Sequence, residues 1–181
     1  MTCNQVEYLA VDNTRWTDLE ALFEARGGPH YCWCMAWRRK PADKGKASLK
    51  AALRAQVSEG TPIGIIAYAE KQPVAWCSVA PRPSYRKLGG PGDHEGDGSV
   101  WSIACFFVKR EFRGQGMTEG LIGAAIAEAR QRGAGTIEAY PVEKDSPSYG
   151  FMGRVPAFEK AGFRHVGRAG KWRRVMRLSL S

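Results

Sequence analysis

The junction between a continuous apolar run and an amphipathic helix constrains this chain most. Residues 99–108 (SVWSIACFFV) form the apolar run, which is typical of a central β-strand covered on both faces. A glycine-rich turn, Arg113-Gly114-Gln115-Gly116, follows this run. Apolar residues then recur at helical spacing over residues 117–132, which predicts a helix packed against the sheet. The chain should therefore fold as an α/β protein around a strand–turn–helix unit.

Further strands and helices are predicted on both sides of this unit. Strands are expected over residues 6–11, 63–69, 74–80, 136–142, 163–166 and 173–180. Helices are expected from Asn13 or Thr14 to the glycines at 27–28, over residues 46–58 and over residues 155–161. This order predicts a mixed sheet with helices on both faces. A length of 181 residues suits one hydrophobic core, so residues 1–181 are expected to form a single domain.

Basic residues are concentrated in two blocks. The net charge is +9, and residues 38–54 and 154–177 together carry fifteen basic and two acidic side chains. Such blocks attract polyanions, including nucleotide phosphates and tRNA, but they also occur as ordinary solvated surface. Because they lack the regular aromatic interleaving of single-strand-binding surfaces, binding to nucleic acid is an alternative that is not favoured.

The cysteine content and the lengths of the apolar runs indicate the cellular compartment of the protein. Five cysteines, an odd number, favour reduced thiols over a disulfide framework. The close pair Cys32-Trp33-Cys34 does not have zinc-ribbon spacing, so no metal site is predicted. Residues 1–10 show no secretory signal, and no apolar run approaches the length of a membrane span. We therefore expect a cytoplasmic protein without a membrane partner.

The turn before the helix at 117–132 has the properties of an anion site. The first amides of a helix lack internal acceptors and lie at the positive end of the helix dipole. Gly114 and Gly116 allow close approach to the backbone, and Arg113 adds positive charge. The pattern fits neither the GxGxxG nor the Walker phosphate loop, since position 119 is Glu and no Gly-Lys-Ser/Thr occurs.

Two motifs resemble those of the GNAT (Gcn5-related) N-acetyltransferase family. Val108-x-x-x-x-Arg113-Gly114-Gln115-Gly116 resembles the family's motif A, and residues 158–163 (FEKAGF) resemble its motif B. The closing stretch, from Met152 to Arg177, is similar to a bacterial branch for which the resemblance supplies no acceptor. The resemblance to the family implies a mixed, mostly antiparallel sheet that splays between the fourth and fifth strands. Members of the family often form homodimers.

The resemblance also implies a binding site for acetyl-CoA as co-substrate. The backbone of the fourth strand would bind the pantetheine arm, and the amides of the glycine-rich turn would bind the pyrophosphate. The residues so assigned are Phe106, Phe107, Val108, Arg113, Gly114, Gln115, Gly116, Met117 and Thr118.

The usual acid and base of the family are missing. Phe158 replaces the motif-B tyrosine, and residues 99–108 contain no carboxylate. Tyr149, with Tyr140 and Cys105 as alternatives, is the candidate general acid. Candidate bases come from the long loop at 81–98 and from the strand after the helix at 117–132. They are Glu95, Asp97 and His94, with Glu138 and Glu143 as further alternatives.

The segment between the first two helices is the second candidate site. It contains Tyr31, Cys32, Trp33 and Trp37, and the resemblance places the acceptor here. The same aromatics would also suit a helical turn in the core, so both interpretations stay open.

The predicted function is direct acetyl transfer from acetyl-CoA to an amine of a small molecule such as an antibiotic, an amino acid or a polyamine. One alternative is acetylation of aminoacyl-tRNA or of a protein amine. Another is a non-catalytic module that binds acyl-CoA or nucleic acid, since fold alone does not guarantee activity.

Overall fold

The computed structural model describes residues 5–92 and 98–181. Within those residues, seven strands form one sheet in the order β1-β2-β3-β4-β5-β7-β6. The strands are β1 (Val6–Ala10), β2 (Gly64–Ala69), β3 (Gln72–Pro81), β4 (Val100–Val108), β5 (Thr136–Ala139), β6 (Arg164–Ala169) and β7 (Arg173–Ser179). The helices are α1 (Trp16–Glu24), α2 (Lys46–Ser58), α3 (Met117–Gln131) and α4 (Val155–Lys160).

Helices cover both faces of the sheet, as predicted. On α2 the buried residues are Leu49, Leu53 and Val57, spaced four apart, which places one apolar stripe against the sheet. This stripe shares a core with α1 and with Trp76 of β3. On the opposite face, α3 and α4 bury their apolar residues in a second core with β2 to β5.

The start of the α1 region differs from the sequence prediction by a residue or two. Asp12, rather than Asn13 or Thr14, is the cap, because its carboxylate accepts the Thr14 amide at 2.9 Å. A short 3-10 helix, Asn13–Arg15, then leads into α1. The predicted caps, Asn13 and Thr14, thus lie inside the 3-10 helix, and α1 itself begins after Arg15 with no side-chain cap.

The pairing of β4 with β5 is the one parallel pairing among the described strands, and it is short. It runs from Val100 opposite Thr136 to Ile103 opposite Ala139. Beyond that point β4 continues to Val108, whereas β5 ends. The predicted splay between the fourth and fifth strands is therefore present.

The predicted strand over residues 136–142 is shorter than expected. Tyr140 and Val142 are buried, which explains the apolar pattern. Val142, however, forms isolated bridges with Arg154 and Arg173 instead of extending the pairing with β4. The chain thus leaves β4 at this point and opens the sheet.

In the part of the chain that the structure describes, no helix has both the length and the apolar character needed to cross a bilayer.

Candidate functional site

A cleft of about 850 Å³ runs along the free half of β4. One end lies at the start of α3, where Arg113 and Thr118 line it. The other end lies against residues 27–37, in the connection from α1 to α2. Residues 150–157, which include the first turn of α4, form the remaining wall, called the far wall below. The cleft thus joins the two regions that the sequence analysis selected.

The middle of the cleft is formed by the part of β4 that does not pair with β5. Phe106, Phe107 and Val108 pair with β3 on one side and line the cleft on the other. A free strand edge can bind an extended molecule through backbone hydrogen bonds, as an added strand does. The free edge of β4 provides such a surface.

The amides at the start of α3 are open. The Gly120 amide is the first with an intrahelical acceptor, and it donates to the Gly116 carbonyl at 3.0 Å. The six amides before it, those of residues 114–119, have no backbone acceptor within the described ranges 5–92 and 98–181. Free amides at a helix N-terminus favour an anion, so this end of the cleft fits a phosphate-bearing group.

Two glycines shape the turn in front of these amides. Gly114 and Gly116 have φ values of 71° and 78°, in the left-handed region that favours glycine. A Cβ built on either residue would meet no atom within 4 Å. The space over the turn is therefore open to a ligand.

The sequence prediction assigned the Arg113 amide to this anion site, and the structure uses that amide elsewhere. A 3-10 helix, Arg110–Phe112, precedes the turn, and the Arg113 amide donates to the Arg110 carbonyl at 3.3 Å. The set of open amides thus shifts by one residue and includes Glu119. The Arg113 side chain remains at the cleft, where its Nε donates to the Val108 carbonyl at 3.0 Å.

The opposite end of the cleft is largely aromatic and apolar. Tyr31, Cys32 and Trp37, three of the predicted acceptor residues, line it. Tyr31 is 72% exposed, so its ring is available to a ligand.

Trp33, the fourth predicted acceptor residue, lies in the core instead. It is fully buried and stacks on Trp16, with ring centroids 5.8 Å apart. It also packs against Phe23 at 5.3 Å. The alternative interpretation, a turn that buries an aromatic residue, is correct for Trp33, because its side chain anchors the connection between α1 and α2.

Two thiols meet at the cleft wall. The Sγ atoms of Cys34 and Cys105 are 3.3 Å apart, and both residues line the cleft. Trp76 Nε1 donates to the Cys34 sulfur at 3.2 Å. The contact with Cys105, together with burial, raises the pKa of the Cys34 thiol, which therefore stays protonated at neutral pH.

Tyr149, the candidate acid, lies beside the cleft at the start of its far wall. Its φ is 61°, and its ring lies 5.0 Å from the Arg173 guanidinium and 6.1 Å from the Phe151 ring. Phe151 and Gly150 line the cleft, whereas Tyr149 itself is not among the lining residues.

The candidate bases have different positions. Glu95, Asp97 and His94 lie outside the described residues. Glu143 accepts the Arg174 side chain at 3.0 Å in a separate depression of the surface. Glu119 is the one carboxylate on the cleft wall among the residues described here.

Glu138 belongs to a buried ion network rather than to the cleft. Its side chain is fully buried, and one oxygen accepts both Tyr140 Oη (2.6 Å) and Arg82 Nη1 (3.1 Å). The other oxygen accepts Arg177 Nε at 2.8 Å. Both oxygens are thus engaged, so this carboxylate holds β5 to its neighbours and is not positioned to accept a proton in the cleft.

Phe158, at the position of the family's tyrosine, is a core residue. It is fully buried, and its ring lies 5.1 Å from Phe163 and 6.1 Å from Phe106. A proton donor for the cleft must therefore come from another residue.

Several residues of the cleft were not among the predicted site residues. Cys34, Glu119, Phe151 and Arg154 all line it. Arg154 follows the far-wall loop, where its Nη1 donates to the Glu143 carbonyl at 2.7 Å. The position of Arg154 in the second basic block was the available signal, but charge alone does not show which side chains turn inward.

The fold and this cleft define an acyltransferase. A sequence model described as the acetyltransferase (GNAT) family matches residues 11–163, and the chain belongs to this family. The family membership suggested by the two motifs is confirmed. No curated protein matches the sequence at a significant level.

Solved structures share the fold at low sequence identity. An aminoglycoside acetyltransferase AAC(6')-Ib, solved with paromomycin and acetyl-CoA, is 16% identical, with a TM-score of 0.63 over 97% of this chain and 93% of that one. The putative acetyltransferase yncA from Salmonella typhimurium, solved with acetyl-CoA, is 16% identical, with a TM-score of 0.60 over 98% and 95%. The ribosomal-protein-S18-alanine N-acetyltransferase from Escherichia coli is 11% identical, with a TM-score of 0.55 over 98% and 95%.

Proposed function

We propose that this chain is an acetyl-CoA-dependent N-acetyltransferase that acetylates an amine of a small molecule directly. One observation carries the proposal. A free strand edge at residues 104–108 lines one continuous cleft, and the end of that cleft at Arg113, Thr118 and Glu119 adjoins the open amides of residues 114–119. Such a cleft suits a ligand that combines an extended amide-bearing arm with a diphosphate. Two of the structural neighbours were solved with acetyl-CoA, which has both groups.

The residues of the chain have separate tasks in this proposal. Acetyl-CoA would supply the thioester whose acetyl group is transferred. The amides of residues 114–119, with the Arg113 side chain beside them, would hold the diphosphate. The free edge of β4, at Phe106 to Val108, would align the pantetheine arm. Tyr31 and Trp37 would pack against the acceptor at the other end of the cleft.

Proton transfer is assigned to Tyr149 as the candidate acid, with Cys105 as its alternative, and to two carboxylates of the long loop as bases. Cys105 lies on the cleft wall next to Phe106, where its thiol can exchange a proton with a bound ligand. Tyr149 lies beside the cleft, at the start of the wall that residues 150–157 form. Glu95 and Asp97 remain the proposed bases, because the carboxylates of Glu138 and Glu143 are engaged by arginines.

Titration calorimetry with acetyl-CoA and with CoA tests the cofactor site. Binding in the micromolar range is expected, and absence of binding at millimolar cofactor would refute the proposal. Release of free CoA thiol in the presence of a panel of amines tests the transfer. Saturable release with any small amine excludes the non-catalytic alternative.

An acceptor on tRNA is the second candidate. The observation that favours it is a surface depression in which Arg168, Lys171, Trp172 and Arg174 lie beside Glu143, Asp145 and Ser146. Phosphate contacts of this kind would make the affinity for tRNA fall steeply with salt, by roughly a thousandfold between 50 and 200 mM for six contacts. A chain that acts on small amines should show no such binding.

We further propose that residues 1–181 act as one domain in the cytoplasm. The four cysteines in the described ranges are all free thiols, which suits a reducing compartment.

A further inference from the structure

The wall of the cleft contains two thiols in contact, and acetyl transfer does not require that contact. Cys34 and Cys105 are 71 positions apart in sequence, and their Sγ atoms are 3.3 Å apart. A disulfide requires the two sulfurs to approach to about 2.05 Å. The distance left to close is therefore small, and both residues already face the same cavity.

The backbone near Cys34 is held in an unusual conformation. Trp33 and Cys34 both have φ values of 49°, in a region that residues other than glycine rarely occupy. The buried ring of Trp33 and the Trp33 amide, which donates to the Pro29 carbonyl at 2.8 Å, fix this conformation. Strain of this kind persists where the surroundings impose it, and it often accompanies a functional group. Its result here is that the Cys34 sulfur points at β4.

The two thiols differ in their access to solvent. Cys105 is partly exposed on the cleft wall, whereas Cys34 is 5% exposed and receives the Trp76 N–H at 3.2 Å. A small oxidant that enters the cleft therefore meets Cys105 first. Cys34 lies behind it, in position to attack an oxidised Cys105 sulfur.

We propose that Cys105 and Cys34 form an oxidation site that hydrogen peroxide converts reversibly into an intramolecular disulfide. The Cys105 sulfur attacks one peroxide oxygen, which gives a sulfenic acid and, with the thiol proton, one molecule of water. The protonated Cys34 thiol then attacks the sulfenic sulfur as its proton passes to the departing hydroxyl group, which leaves as a second water. Two thiols and one peroxide thus become one disulfide and two waters.

This disulfide would connect the acceptor wall to the central strand. Residues 27–37 form one end of the cleft, and β4 forms its floor. A covalent link between them would fix the width of the cleft at the acceptor end. Transient disulfides of this kind in reducing compartments are typically redox-sensing.

Peptide mapping under non-reducing conditions tests the site. The reduced full-length chain is treated with hydrogen peroxide and digested with trypsin. Cys32 and Cys34 lie together on the peptide 27–38, and Cys105 lies on the peptide 88–109. A cross-link between these two peptides, which dithiothreitol removes, is expected. Its absence would overturn the proposal.

Three serine variants identify the partner of Cys105. The cross-link should persist in the matched control Cys32→Ser and disappear in Cys34→Ser and in Cys105→Ser. Persistence in Cys34→Ser would show that Cys32 is the partner and would overturn the assignment. A linkage between Cys32 and Cys34 within one peptide would also overturn it.

A thermal measurement separates this proposal from the proposed function. Oxidised wild-type chain should melt at a higher temperature than reduced chain, because the disulfide lowers the conformational entropy of the unfolded chain. The variant Cys34→Ser should show no such shift. These outcomes require no cofactor. Slower cross-linking in the presence of acetyl-CoA would then report, independently, on whether that ligand covers Cys105.

Discussion

Arg38 donates through Nη2 to the Tyr85 hydroxyl at 2.9 Å, which joins the end of the acceptor segment to the loop that follows β3. The same guanidinium donates to the Ile63 carbonyl and to Gln56, and it lies over the Tyr85 ring at 4.3 Å. Arg38 is 5% exposed, although it begins the first basic block of the sequence. A residue that charge patterning suggests is a surface cation is in fact an internal support of the cleft.

The Arg38→Ala change should therefore reduce stability strongly. It leaves several buried acceptors without a donor, and a loss of about 3 kcal/mol in the free energy of unfolding is expected. Urea denaturation measures this loss. The neighbouring exposed Arg39 is the matched control, and Arg39→Ala should change stability by less than about 0.5 kcal/mol. Equal losses in both variants would contradict the role given to Arg38.

The open amides of α3 predict a localised effect on cofactor affinity. A side chain at Gly116 strains a φ of 78° and intrudes on the space over the turn, so Gly116→Ala should weaken acetyl-CoA binding at least tenfold. Gly133, just beyond the last residue of α3, has a φ of 82° and equally open surroundings. Gly133→Ala should lose similar stability and keep its affinity in titration calorimetry. Equal affinities in the two variants would contradict the assignment of an anion-binding site at the start of α3.

Glu138 should affect stability rather than proton transfer. Glu138→Gln removes a buried charge that two arginines share, and a loss of about 3–5 kcal/mol in the free energy of unfolding is expected. The partly exposed Glu143 pairs with Arg174, so Glu143→Gln should cost less than about 1 kcal/mol. If Glu138→Gln instead unfolds at the wild-type urea concentration while kcat collapses, Glu138 acts in catalysis.

Stability should fall at alkaline pH in a way that depends on Tyr68. Burial, followed by its hydrogen bond to Asp18 (2.7 Å), raises the pKa of Tyr68 above its ordinary value of about 10. The folded chain then holds this proton more tightly than the unfolded chain. The resulting stability is fully present below about pH 10 and decreases as pH rises towards the folded-state pKa.

The variant Tyr68→Phe removes this ionisation. Its free energy of unfolding in urea should be lower than that of wild type at pH 8, because the Asp18 carboxylate loses a donor. It should also decline less steeply between pH 9.5 and 11. An identical slope in the two proteins would show that Tyr68 does not carry this part of the alkaline transition.

Local pattern was sufficient for most of the fold. The bounds predicted for α2, residues 46–58, agree with the structure because its apolar residues repeat every fourth position and a glycine follows. The strand after α3 was predicted too long, because burial of Tyr140 and Val142 produces the same apolar pattern whether or not a neighbouring strand is present. Partners distant in sequence decide that difference, and periodicity contains no information about them.

The site was predictable where backbone geometry defines it. The glycines and the helix start reveal the open amides, since orphan donors follow from helix geometry alone. The contact between Cys34 and Cys105 was not predictable, because it depends on how Trp33 packs into the core. For the same reason, the sequence could not separate Trp33, a core residue, from Trp37 on the cleft wall.

The sheet consists of two antiparallel parts, β1 to β4 and β5 to β7. Four residue pairs between β4 and β5 join these parts, at one end of the two strands only. A molecule bound in the gap would contact both parts of the sheet and supply hydrogen bonds where the pairing between β4 and β5 is missing. Binding would therefore make the amino-terminal and carboxyl-terminal halves unfold more cooperatively, because the bound molecule takes the place of the missing length of strand.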